Sequence, residues 1–100
     1  MSEIVYKILT EDQLTSFIKS GKFDGTDLDK KDGYIHMSSN QEQIKRVRNK
    51  YYSDHPTVWL LHIDVTKLDN LKYEPISSGD IYPHQYGKLY LDNVVKTEQI

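Results

Sequence analysis

Residues 57–65 constrain the fold more than any other stretch of the chain. Read as a strand, they put Trp59, Leu61, Ile63 and Val65 on one face and Val58, Leu60, His62 and Asp64 on the other, so apolar side chains leave from both sides. Such a strand belongs in the interior of a sheet that is covered on both faces. A chain of 100 residues can build one such core, and its 37% apolar and 28% charged residues with a net charge of -2 describe an ordered globular domain spanning 1–100.

The flanking elements follow from local chemistry. Residues 4–9 read as a β-rich strand, and Thr10 with Gln13 three residues on forms a capping box that starts a helix over 11–20. Leu14, Phe17 and Ile18 recur at helical spacing and Gly21 suits the left-handed position that ends the helix. Residues 22–33, with four aspartates and two glycines, read as an ordered surface loop. Residues 34–37 form a short strand, and Ser38 and Ser39 open a second helix, with Ser39 and Glu42 as a capping box and an end near Ser53. Strands follow at 71–74, 88–91 and 94–98, while 81–87 has no clear period and reads as a loop. This order predicts an α+β domain, with Leu14, Phe17, Ile18, Trp59, Leu61 and Ile63 in its core.

Composition removes several functions. With no cysteine there is no disulfide, no thiolate nucleophile and no cysteine-type zinc site, and His36, His55, His62 and His84 lack metal-ligand spacing, so no metal is expected. The near-neutral charge argues against a dedicated nucleic-acid binder. No apolar run approaches the roughly 18–20 residues that span a bilayer, and Met1-Ser2-Glu3 lacks the layout of a secretory signal, so the expected location is the cytosol or nucleus.

Two segments carry candidate chemistry. In Gly33-Tyr34-Ile35-His36-Met37-Ser38 a strand bearing a histidine ends at a serine beside an expected helix start, a place suited to phosphate or sugar hydroxyls. The plainer reading makes Ser38 a cap and His36 a core histidine. Tyr73-Glu74-Pro75 and Gly79-Asp80-Ile81-Tyr82-Pro83-His84-Gln85-Tyr86-Gly87 gather acid, histidine and aromatic groups. There the plainer reading makes Tyr82 and Tyr86 lids on the core and His84 a loop-stabilising hydrogen-bonder. The basic run at 45–50 reads as a solvated helix face.

Together these motifs, with Val5-Tyr6-Lys7-Ile8, Gln43, Leu60-Leu61 and Ile63-Asp64, resemble the domain of unknown function 952 family over almost the whole chain. The resemblance implies an ADP-ribosyltransferase-like fold: two small, mainly antiparallel sheets and two helices around a cleft. It implies NAD or a related nucleotide as ligand, His36, Glu74 and His84 as catalytic candidates, and Tyr34, His36, Ser38, Tyr82 and Tyr86 as binding candidates. The alternatives are a non-catalytic module binding a nucleotide-like ligand or a protein segment, and an enzyme handling phosphate at RNA ends through the 45–50 face.

Overall fold

The computed structural model describes residues 3–100. Among them are β1 (Ile4–Leu9), α1 (Glu11–Ser20), β2 (Lys22–Phe23), α2 (Asp27–Asp32), β3 (Ile35–His36), α3 (Gln41–Tyr51), β4 (Trp59–Asp64), β5 (Leu71–Pro75), β6 (Ile81–Gln85), β7 (Leu89–Tyr90) and β8 (Val94–Gln99). The strands form three antiparallel sheets, ordered β1-β4-β8, β2-β7 and β3-β6-β5.

The both-faced strand is β4, and it is central in its sheet. Leu61 and Ile63 enter the main core with Val5, Leu9, Phe17, Phe23, Ile35 and Met37. Leu60 faces the other way, against Ile8, Ile44 and Val58 beneath α3. One sheet thus divides two apolar layers, which is why its middle strand needs large apolar residues on both sides.

Helix α1 matches expectation. Thr10 and Gln13 exchange capping-box bonds, and Gly21 closes the helix at φ 82°, a conformation that suits glycine. The expected core is corrected at Ile18, which is 59% exposed, and at Trp59, which is only partly buried at the edge of the main core. The buried stripe of α1 is carried by Leu14 and Phe17, and Ile18 lies one helical step beyond it.

Three further expectations are corrected. Residues 22–33 are not a loop: Phe23 pairs with Leu89, and Thr26 and Asp29 form a capping box that opens α2. The β2-β7 pair and α2 bring the totals among the described residues to three sheets and three helices, where two of each were expected. Neither Ser38 nor Ser39 caps the helix at 41–51. Asn40 does, accepting from Gln43 N–H, because Ser38 is held by reciprocal backbone bonds of 2.8 Å to Tyr6 of β1 and Ser39 N–H donates to Gln43 Oε1.

Residues 81–87 also contain a strand, although Pro83 sits in the middle of it. Met37 N–H donates to the Pro83 carbonyl at 3.0 Å, so that edge of residue 83 faces β3, where a proline has no N–H to return. Pairing with β6 therefore stops at Met37, and the next residue, Ser38, crosses to β1. Toward β5, Pro83 lies opposite Tyr73 in a pair that needs no donor from it. The segment 35–38 thereby links the sheet bearing the two histidines to the central sheet.

Truncation of Phe17 tests this packing. Phe17→Ala is expected to lower unfolding free energy in urea by about 3–5 kcal/mol, and Ile18→Ala by no more than about 0.5 kcal/mol. Equal losses would contradict the placement of the α1 stripe.

Candidate functional site

The site grows from register. His36 of β3 lies directly opposite His84 of β6, so both imidazoles leave one face of the β3-β6-β5 sheet. Tyr34 and Tyr86 each stand two residues from one of these histidines and share that face by strand alternation. Lys72 opposite His84 brings Glu74, two residues on, to it as well. The opposite face supplies Ile35 and Met37 to the core.

The rings form one cluster. Tyr34 stacks on His84 with centroids 4.0 Å apart and planes 25° apart, and lies 4.7 Å from His36 and 5.3 Å from Tyr86. The two histidine rings are 5.7 Å apart, nearly edge to face. Lys72 Nζ sits 5.2 Å from the centre of the Tyr86 ring.

Each histidine is held by a carboxylate, in different ways. His36 Nδ1 is 2.6 Å from Asp29 Oδ1, and its Nε2 is 3.0 Å from Asp32 Oδ2, so both ring nitrogens are engaged. His84 Nδ1 is 2.9 Å from Glu74 Oε1, while its Nε2 is buried with no hydrogen-bond partner. The Nδ1 contact with a carboxylate places a proton on Nδ1, which leaves Nε2 of the neutral ring as an acceptor.

Beneath His36 lies the buried carboxylate of Asp29. Asp29 is 1% exposed and accepts from Thr26 N–H, His36 N–H, the His36 ring and Lys7 Nζ, the last at 2.8 Å. Burial pushes its carboxyl up, but the His36 hydrogen bond and then the Lys7 charge outweigh burial and hold it well below the ordinary carboxylate range. Burial pushes the Lys7 ammonium down more than Asp29 raises it, and Lys7 also donates to the His36 carbonyl. Around Glu74 the order differs. The Tyr86 hydroxyl first and His84 second hold its carboxyl below its usual value, and the same bond to Glu74, with burial, pushes Tyr86 up to about 12.

A family model described as a protein of unknown function (DUF952) matches residues 8–97. The chain belongs to the DUF952 family. Among solved structures, it is similar to the crystal structure of protein CC0527 from Caulobacter crescentus, with TM-score 0.88 and 29% identity over 96% of this chain and 84% of that one. A double-mutant form of that protein gives TM-score 0.88 at 28% identity, again over 96% of this chain and 84% of that one. Its solution structure gives 0.83 at 29% identity over 96% and 83%. A comparison with curated proteins found no match.

In this DUF952 chain, five of the seven residues singled out from sequence lie in one cluster: Tyr34, His36, Glu74, His84 and Tyr86. Among the described residues Ser38 and Tyr82 join none of these ring contacts, although Tyr82 lies directly opposite Glu74 on the same face. Ser38 is buried at the β1 bridge and Tyr82 is buried toward Arg46 of α3. Residues 81–85 hold His84 as part of a central strand instead of a loop, so its backbone is fixed on both sides. Sequence reasoning missed Lys7, Asp29 and Asp32. Lys7 carried a signal, a cation between Val5 and Leu9 on the inward face of β1, and Asp29 carried another, its spacing three residues after Thr26.

Among the described residues no group of three or more His, Cys, Asp or Glu is placed to hold a metal ion, and no helix is long and apolar enough to cross a membrane. The basic face of α3 is partly spent internally. Arg46 pairs with Glu42 and Asp80, and Arg48 donates to the carbonyls of Tyr52 and His55.

The Asp29 network predicts an acid-sensitive stability. A carboxyl held low in the folded state stabilises fully above the unfolded carboxylate range and loses that contribution as pH falls below about 4. Asp29→Asn is expected to cost about 3–5 kcal/mol at pH 7, because Lys7 is left buried without its counter-charge, and to give a shallower decline in stability from pH 4 downward. Urea unfolding across that range checks both. A wild-type slope retained in Asp29→Asn would contradict the assignment.

Proposed function

We propose that the Tyr34-His36-Glu74-His84-Tyr86 face binds a nucleotide of the NAD class and supports transfer of ADP-ribose from it, and that the fold serves the ADP-ribosyltransferase-like role which the family resemblance implies. One observation carries the reading: a buried His84 whose Nδ1 is anchored by Glu74 and whose Nε2 has no partner, beneath a tyrosine ring. An unpaired buried acceptor costs about 1–3 kcal/mol, which a hydroxyl donated by a ligand's sugar would recover.

The other groups fit the same ligand. Tyr34 and Tyr86 line a groove of about 300 Å³ with Gly33, Ile35, Gln85 and Gly87. Their centroids are 5.3 Å apart, less than the roughly 7 Å needed to sandwich a third ring, so a ligand ring stacks on the outside of the pair, in the groove. His36 Nε2 is reached by displacing Asp32, a half-exposed carboxylate that occupies the place of a ligand acceptor.

NAD supplies a ribose-nicotinamide bond whose electron pair leaves with nicotinamide, while an acceptor or water oxygen bonds to the ribose and releases its proton to solvent water. The chain's part is orientation and charge. Glu74, kept ionised by Tyr86 and His84, places a fixed negative charge where positive charge develops on the sugar. A carboxylate held low is a weak base, which favours electrostatic stabilisation over proton abstraction as its role. His84 fixes the sugar and Tyr34 the ring beside it.

One observation favours a second reading, a non-catalytic nucleotide-binding module: both ring nitrogens of His36 already bond carboxylates, as a purely structural histidine would. Turnover separates the two. Wild-type protein is expected to bind NAD saturably by calorimetry and to release nicotinamide continuously, and Glu74→Gln to keep binding within about threefold while slowing release by about a hundredfold. Binding without release selects the module, and absence of saturable NAD binding overturns the proposal.

A further inference from the structure

Beyond the ring cluster, a second groove of about 310 Å³ lies between α1 and β2, floored by Phe17 and Phe23 and rimmed by Asp12 and Ser16. The two grooves are not separate. Both are lined by Asp24 and Lys30, so they meet at the start of the segment that carries α2.

The charges at that junction are unequal in availability. Asp24 lies 3.5 Å from Lys88 Nζ, and Asp29, which lines the first groove, is neutralised by Lys7. Lys30 is exposed and takes part in none of the salt bridges among the described residues. The junction of two ring-sized grooves thus presents one unpaired ammonium.

We infer that the ligand is a two-ended molecule in which a phosphate or pyrophosphate bridge crosses Lys30, with one ring against Tyr34 and Tyr86 and the other in the α1-β2 groove over Phe17 and Phe23. This inference rests on the nucleotide reading above and extends it from one subsite to two. A lysine at the midpoint supplies a point charge for the bridge without demanding one geometry. The second groove gives an apolar floor for the face of a base, with Asp12 and Ser16 at its rim as partners for ring amino groups.

Calorimetric titration of NAD and of nicotinamide mononucleotide into wild type, Lys30→Gln and Ser16→Trp tests the inference. Both substitutions lie at exposed positions, and circular dichroism checks that each variant is folded. Wild type should bind NAD at least about tenfold tighter than the mononucleotide. Lys30→Gln, which removes the charge that meets the phosphate of either ligand, should weaken both about fivefold or more, whereas Ser16→Trp, which fills the second groove, should weaken NAD about fivefold or more and leave the mononucleotide within about twofold. Should wild type bind NAD while Ser16→Trp binds it equally well, or should NAD and mononucleotide bind alike, the two-groove inference falls and the single-site reading stands. If wild type binds neither, the nucleotide reading fails and the inference with it.

Discussion

A single buried carboxylate organises this domain. Asp29 accepts hydrogen bonds from α2's own cap, from the backbone and ring of His36 on β3 and from Lys7 on β1, so three elements meet at two oxygen atoms. Burying an anion is costly unless its charge and its lone pairs are both answered, and here both are. The geometry leaves little freedom: α2 has to start at Thr26 and β3 has to run past it for His36 to reach the carboxylate. The short strand carrying His36 is therefore fixed from below by Asp29 and from the side by β6.

That fixation gives the two histidines different roles. His36 is saturated by Asp29 and Asp32 and acts as part of the scaffold, open to a ligand only at the Asp32 side. His84 is held at one nitrogen by Glu74 and left bare at the other, in a position 2% exposed. Folding alone gains nothing from an unsatisfied buried nitrogen, and such atoms in folded proteins call for a specific cause. Tyr34, stacked on the His84 ring, and Tyr86 line a groove beside it.

What could be read from sequence was what depends on neighbours along the chain. Thr10 and Gln13 announce α1, Gly21 ends it, and the two apolar faces of residues 59–63 require a central strand. The convergence of His36, Glu74, His84 and Tyr86 followed from the motif density of two segments. What was not legible depended on distant partners or on a local rule being broken. Asp29 sits in an aspartate-rich stretch that looks like a solvated loop, and only Lys7 and His36, 22 and 7 residues away, make it a buried hub. Pro83 argues against a central strand unless one knows that its missing donor falls where β3 turns away to β1. Ser38 looks like a cap until the bridge to Tyr6 claims its backbone, which passes the cap to Asn40.

The central claim is that His84 presents a bare, ligand-seeking Nε2 on a ring oriented by Glu74. Long-range proton-nitrogen correlation spectra of the imidazole side chains test it directly at neutral pH. The account predicts that His84 carries its proton on Nδ1 and that the Nε2 resonance moves on titration with NAD. A proton on Nε2, or an Nε2 resonance unmoved at saturating NAD, would contradict it.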